Sequence, residues 1–179
     1  MRVITGTARG RKLQEPKNND IRPTTDMVKE AVFSIIQFDV PGRRVLDLFA
    51  GTGQLGIEAL SRGAAECVFV DASAEAVSLV KRNLEHCDLE GKVVRGDSLA
   101  YLSRCGKFDI LFVDPPYHAG LYDKILENVF KFDIINEGGI IVVETMRDEV
   151  LPAPLPPYSL RKRYNYGKVS LTVYTRGSL

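Results

Sequence analysis

A chain of 179 residues with 45% hydrophobic content and a net charge of +1 is long enough for one globular domain with an ordinary core, and too short for two full ones. No apolar run approaches a membrane span and MRVITGTARGRKL has no hydrophobic signal core, so a cytoplasmic protein without membrane contact is expected. Cys67, Cys87 and Cys105 contain no CxxC pair and only His86 and His118 accompany them, which gives no disulfide framework and no support for a metal site.

The opening VITGTARGRKL, with Gly6 and Gly10, reads as a small hairpin or a flexible basic arm, and residues 1–21 are expected as an extension to a single domain over 22–179. RPTTD (Arg22 to Asp26) offers Thr24 or Thr25 as an N-cap and Asp26 for the first turn. Met27, Val28, Ala31, Val32, Ile35 and Ile36 then form an apolar stripe, a covering helix before the first strand. Five β-branched or aromatic runs follow as strands: Arg44–Phe49, Glu66–Asp71, Lys92–Asp97, Phe108–Asp114 and Gly139–Glu144. Helical patterns alternate with them, one starting at Leu55, one over Ala74–Cys87 and one over Ala119–Phe132. That alternation predicts right-handed crossovers and a mainly parallel α/β sheet with helices on both faces. PAPLPP (Pro152 to Pro157) is extended, and YSLRKRYNYGKVSLTVYTR alternates around Asn165 to Lys168 as an antiparallel hairpin at the sheet edge would, with Tyr164, Tyr166 and Tyr174 packing it.

Charge is distributed unevenly: residues 1–29 carry +4, the residues after Glu149 carry +5, and the stretch between carries −8. Any one basic cluster is a solvated surface on its own. Two basic ends brought to one face would make a footprint for a polyanion, with Arg2, Arg9, Arg11, Lys12, Arg22, Arg161, Arg163 and Lys168 as its candidate contacts.

The first chemical signal is DLFAGTGQLGIEAL, Asp47 to Leu60. Gly51, Gly53 and Gly56 follow a strand and open a helix, so backbone amides can approach a ligand at the helix's positive end. Asp71 closes the next strand, where a carboxylate can accept both hydroxyls of a ribose. Asp97 closes the third; alone it could simply cap the following helix, but in series with Asp47 and Asp71 it suggests a nucleoside lying across successive strand ends. The glycine spacing also suits a dinucleotide enzyme, yet no hydride-transfer constellation accompanies it and too little chain remains for a substrate domain.

The second signal is FDILFVDPPYH, where an apolar strand stops on Asp114 and runs into Pro115, Pro116 and Tyr117. Two prolines fix φ and remove two backbone donors, which makes the turn rigid and excludes helix and sheet ladder. Such a turn can present the Asp114 carboxylate and the Pro115 carbonyl as two fixed acceptors, with Tyr117 as a surface on which a base stacks.

These motifs resemble the class I S-adenosylmethionine-dependent methyltransferases: DLFAGTG as the first motif, Asp71 as the ribose acid, Gly96 and Asp97 near the adenine, and DPPY at Asp114 to Tyr117 as the signature for methylating exocyclic amino groups. The basic start, RPTTDMVKEAVFSII, DLFAGTGQLGIEALSRGA and YGKVSLTVYTR together resemble the RsmD type, bacterial guanine-N2 methyltransferases of small-subunit (16S) ribosomal RNA, over nearly the whole chain, with GTG standing where many relatives have GSG. The resemblance implies a Rossmann-like fold with a seven-stranded sheet, S-adenosyl-L-methionine as cofactor, and guanine N2 as the acceptor (guanine 966 in the family's usual rRNA numbering). It implies a cytoplasmic monomer acting on ribosomal RNA, free or within a 30S particle or assembly intermediate. It implies cofactor contacts at Asp47, Phe49, Ala50, Gly51, Thr52, Gly53, Asp71, Ala72, Asp97, Ser98 and Asp114, and catalytic roles for Asp114, Pro115, Pro116 and Tyr117.

Three rivals are separable. A DNA amino-methyltransferase needs a target-recognition domain for which no segment is long enough; a protein glutamine methyltransferase typically has Asn in place of Asp114; and a non-catalytic RNA-binding module would bind RNA without cofactor. Arg22 and Thr24 are candidates for the cofactor's methionine end, and His118, which adjoins the substrate turn, is read as a bystander.

Overall fold

The computed structural model describes residues 1–16, 25–116 and 120–178. Seven strands, β1 (Arg44–Asp47), β2 (Glu66–Asp71), β3 (Lys92–Arg95), β4 (Phe108–Val113), β5 (Ile135–Met146), β6 (Tyr158–Tyr166) and β7 (Val169–Arg176), form one sheet in the order β3-β2-β1-β4-β5-β7-β6. The first five are parallel; β7 runs antiparallel to β5 and pairs with β6, closing the hairpin expected at the chain's end. Among the described residues five helices connect or cover them: α1 (Asp26–Ile36), α2 (Gln54–Ser61), α3 (Ala74–Cys87), α4 (Ser98–Leu102) and α5 (Tyr122–Phe132).

Alternate side chains of the central strands feed two cores. Val45, Ile110 and Ile140 face α1, α2 and α3, whereas Leu46, Leu111 and Ile141 face α4 and α5. Because β1 sits between β2 and β4, strand order reverses there, and a crevice opens beyond the carboxyl ends of these strands.

Element limits differ from expectation where polar residues leave the ladder. β1 and β3 stop at Asp47 and Arg95, short of Phe49 and Asp97, because the chain turns over the crevice; β5 starts earlier and slips register against β4 between Phe108 and Ile110. Ala119 lies outside the described residues, and α5 begins at Tyr122. Of the two expected caps for α1, Thr25 accepts from the Val28 N–H, and Thr24 lies outside the described residues. The phase of α1 corrects the apolar stripe: Met27 is exposed, while Phe33 and, unexpectedly, Lys29 are fully buried.

Lys29 is buried because it has partners. Its ammonium donates to the Arg2 carbonyl and lies 3.7 Å from Glu58, itself fully buried. Glu58 also accepts from the Ile4 and Thr5 N–H groups and from Arg62. Desolvation lowers the Lys29 pKa, and Glu58 opposes that shift. This network fastens the N-terminal segment, which doubles back with an antiparallel bridge between Arg2 and Lys12 and buries Val3, Ala8 and Leu13 in the α1–α3 core. Gly6, at φ +92°, allows the loop to touch the end of α2; a Cβ there would sit 1.7 Å from the Ser61 carbonyl oxygen.

Candidate active site

A cavity of about 750 Å³ occupies the crevice, within the usual range for a small-molecule site. The turns after β1, β2, β3 and β4 all contribute to it, so Gly51 and Asp114, far apart in the chain, share one space.

The β1 turn is held from outside itself. Gly51, at φ +55°, donates its N–H to Asp71 Oδ2 at 2.9 Å, and Asp71 Oδ1 accepts from the Ser73 N–H at 2.9 Å. Asp47 Oδ2 accepts from the Gly56 N–H at 3.0 Å, across the first turn of α2. Asn83, fully buried on α3, donates to the Thr52 carbonyl at 2.9 Å and exchanges two bonds with the Gln14 backbone. Asp71 therefore shapes the glycine turn and faces the cavity with the same carboxylate. A carboxylate oxygen accepts more than one hydrogen bond, so each has capacity for a further donor from the cavity.

Asp97 has two observed features. It caps α4 by accepting from the Ala100 N–H at 2.8 Å, and it lines the cavity. Ser98 is buried and donates to the Leu48 carbonyl at 2.9 Å, tying the β3 turn to the β1 turn. Phe49, Ala50, Thr52 and Ala72 line the cavity as well. Gly53 is not among the lining residues: at φ +80° it is the N-cap of α2, and a Cβ there would meet Val80 and Ile57 at 3.2 Å.

At the β4 end, Asp114, Pro115 and Pro116 line the same cavity, with Pro115 buried and Asp114 half-buried. Tyr122 supports this side, donating to the Glu144 carbonyl at 3.0 Å; burial first, then the nearby Asp114, Glu149 and Glu144, push its hydroxyl well above the usual range. Tyr117, His118 and Arg22 lie outside the described residues.

Burial pushes Asp47 up to about 7, with Asp71 adding to the shift and the Gly56 N–H opposing it. Sequence reasoning passed over Gln54, which is buried, lines the cavity, and carries an Oε1 with no hydrogen-bond partner among the described residues. A polar residue at the first position of a helix that begins beneath a glycine turn was the signal for it. Positive-φ glycines and a series of strand-end carboxylates around the cavity fit a nucleoside.

The basic candidates divide. Arg2, Arg9 and Lys12 are exposed on the N-terminal segment, and Arg161 and Lys168 on the C-terminal hairpin. Arg11 instead donates to the His86 carbonyl, and Arg163 to the carbonyls of Arg147 and Glu149 at 2.9 Å. Both ends reach α1: Arg2 through Lys29, and Arg161 through an ion pair with Asp39 at 3.9 Å, just beyond the helix.

The family profile of conserved hypothetical protein 95 matches residues 1–175. Ribosomal RNA small subunit methyltransferase D of Haemophilus influenzae is 34% identical, over 97% of this chain and 93% of its own. The chain belongs to the RsmD family. The solved Escherichia coli protein yhhF superposes with a TM-score of 0.90 at 30% identity, covering 100% of this chain and 99% of that one. A more distant likeness, at 21% identity and TM-score 0.70, is to a Thermus thermophilus 16S rRNA N2 G1207 methyltransferase solved with AdoMet and guanosine; it covers 90% of this chain and 45% of that one and carries the fold alone. The sheet that RsmD-family membership implies is the one observed, with its antiparallel pair at the end of the chain.

Proposed function

We propose that this RsmD-family chain transfers a methyl group from S-adenosylmethionine to the exocyclic N2 amine of a guanine in small-subunit ribosomal RNA, as a cytoplasmic monomer. The observation that carries the reading is the convergence of the glycine turn, Asp71 and Asp97 with Asp114 and Pro115 on one cavity. RsmD-family membership supports ribosomal RNA as the substrate class.

Asp71 would hold the ribose, the β3 turn at Asp97 and Ser98 the base, and the start of α2 the amino-acid tail. When bound, the cofactor supplies an electrophilic methyl group on a sulfonium. The chain's own task is to prepare the acceptor. An exocyclic amine delocalises its lone pair into the base and points its hydrogens along the ring plane. Two fixed acceptors, the Asp114 carboxylate and the Pro115 carbonyl, bind those hydrogens and turn the lone pair out of the plane. Hydrogen bonds to a charged acceptor contribute about 1.5–3 kcal/mol, whereas fixing two reactants in line supplies on the order of 7–11 kcal/mol. Positioning thus dominates, and Asp114 orients the amine and takes its proton.

The target base must leave its stack to reach the Asp114–Pro115 turn. Arg2, Arg9, Lys12, Arg161 and Lys168 are exposed and would supply phosphate contacts.

The test is transfer of labelled methyl to small-subunit ribosomal RNA, to a 30S particle, to DNA and to protein in parallel. Labelling of the ribosomal RNA, free or in the particle, is the expected result. Labelling of DNA or of glutamine in protein overturns the substrate class, and RNA binding without any cofactor binding overturns the enzyme.

A further inference from the structure

We infer that the exposed ring of Phe38, joined through Asp39 to the basic residues Arg161 and Lys162 of β6, is a second contact for the ribosomal RNA: a platform on which an unpaired base outside the cavity stacks. The inference rests on the RNA substrate proposed above. Phe38 follows α1 and is 91% exposed, whereas Phe33 and Ile36 at the end of the same helix are fully buried. One exposed ring is ordinary by itself. Its surroundings give it a partner.

The ion pair between Arg161 Nη1 and Asp39 Oδ2, at 3.9 Å, brings β6 to the residue that follows Phe38. Lys162 and Tyr164 lie on the same side of the sheet, because their β7 partners, Val173 and Leu171, belong to the core that holds Val32, Phe33 and Ile36 of α1. Lys162 Nζ stands 5.0 Å from the centre of the Tyr164 ring, so that ring already carries a cation and Phe38 is left as the open one. Asp39 offsets one positive charge. No acid follows Glu149 in the chain, so the hairpin supplies no carboxylate of its own against the rest.

An aromatic face bordered by cations suits a nucleotide. Any base stacks on the ring, and its phosphates meet the guanidinium and ammonium groups. An apolar protein surface would instead have to strip water from those charges. In the sheet β6 stands three strands from β4, roughly 14 Å at ordinary strand spacing. The stacked base is therefore not the one presented at Asp114 and Pro115 but another in the same folded RNA.

The experiment measures binding of small-subunit ribosomal RNA and of 30S particles by wild-type protein, Phe38→Ala, Phe38→Leu and Phe38→Trp, with sedimentation, thermal unfolding and calorimetric titration of S-adenosylhomocysteine on each. Phe38→Ala should bind the RNA substrate about fivefold or more weakly, the lower end of the range for one stacked base. Phe38→Leu should lose as much, Phe38→Trp should keep the wild-type affinity, and the loss should reappear in KM for the RNA. Unfolding temperature and cofactor affinity should stay at wild-type values throughout, because the side chain lies in water. The salt slope of RNA affinity should not change in Phe38→Ala, since a stacked ring displaces no counterion. Wild-type affinity in Phe38→Ala overturns the inference, and wild-type affinity in Phe38→Leu overturns the stacking role by showing that any apolar side chain serves. A wild-type dimer that Phe38→Ala dissociates overturns it as well, by making this face a contact between two copies of the chain. Each of these leaves the proposed function standing, whereas wild-type protein that binds neither RNA nor particle overturns both.

Discussion

Two of the turns that build the cavity leave the neighbouring parallel strands β1 and β4 and are stiffened by opposite means. After β1, Gly51, Thr52 and Gly53 have little rigidity of their own, and their course is held by Asp71, Asn83 and the Asp47–Gly56 bond, from β2, α3 and the strand itself. After β4, Pro115 and Pro116 carry rigidity in their rings. The first turn is a product of the whole fold, and the second is largely local. A distant substitution should therefore loosen the cofactor side while sparing the amine side, whereas the amine side should fail only when its own residues change.

The largest effect expected is at the local turn. Asp114→Ala should lower turnover by roughly 10²- to 10⁴-fold, the range for a positioned acid or base, and leave calorimetric affinity for S-adenosylmethionine near that of the wild type. A parallel collapse of cofactor affinity would show that the turns are not separable.

Asn83→Leu tests the opposite case. It leaves the Thr52 carbonyl and the Gln14 backbone unpaired, so denaturant unfolding should show a loss of about 1–3 kcal/mol. Cofactor binding should weaken with it, while the rate at saturating cofactor stays close to wild type. A slowed rate with unchanged binding would reverse the assignment of the two turns.

Asp47 gives the comparison a pH dependence. Its folded pKa is raised from 3.8 to about 7, so the folded state holds a proton that the unfolded chain releases between those values. Stability is full below the unfolded value and is lost as pH rises through the folded one, at a slope on the order of 1 kcal/mol per pH unit. Asp47→Asn abolishes that slope. Its unfolding free energy, measured against wild type from about pH 4 to about pH 7, should rise steadily and then level; a constant difference would mean that Asp47 is ionised throughout.

The smallest effects concern the basic ends. Arg161→Ala should reduce the salt slope of RNA affinity by about 1, as for one lost phosphate contact. Arg163, occupied with the carbonyls of Arg147 and Glu149, should change stability and leave that slope alone.

Much of this was readable in the chain because the responsible signals are local. Strand-end carboxylates, glycines before a helix and a double proline announce their chemistry within a few residues, and the alternation of strands and helices announces the sheet. The rest depends on contacts across the fold. The phase of α1 could not be read from its apolar residues alone, since Lys29 is buried by Glu58 and by the Arg2 carbonyl. The docking of the N-terminal segment rests on Gly6 meeting Ser61, a proximity that no local pattern encodes. Gln54 was missed for a related reason: a glutamine at the head of a helix looks solvated until the β1 turn is folded over it.

The central claim is that a rigid acceptor pair after β4 presents an exocyclic amine to the cofactor half of the cavity. The most direct measurement is nucleoside analysis of small-subunit ribosomal RNA, free and in 30S particles, after reaction with methyl-labelled S-adenosylmethionine. The account predicts N2-methylguanosine as the labelled product with wild-type protein and its loss with Asp114→Ala. Label in N6-methyladenosine would contradict the guanine assignment, and label on a ring carbon or a ribose oxygen would contradict the role of the turn itself.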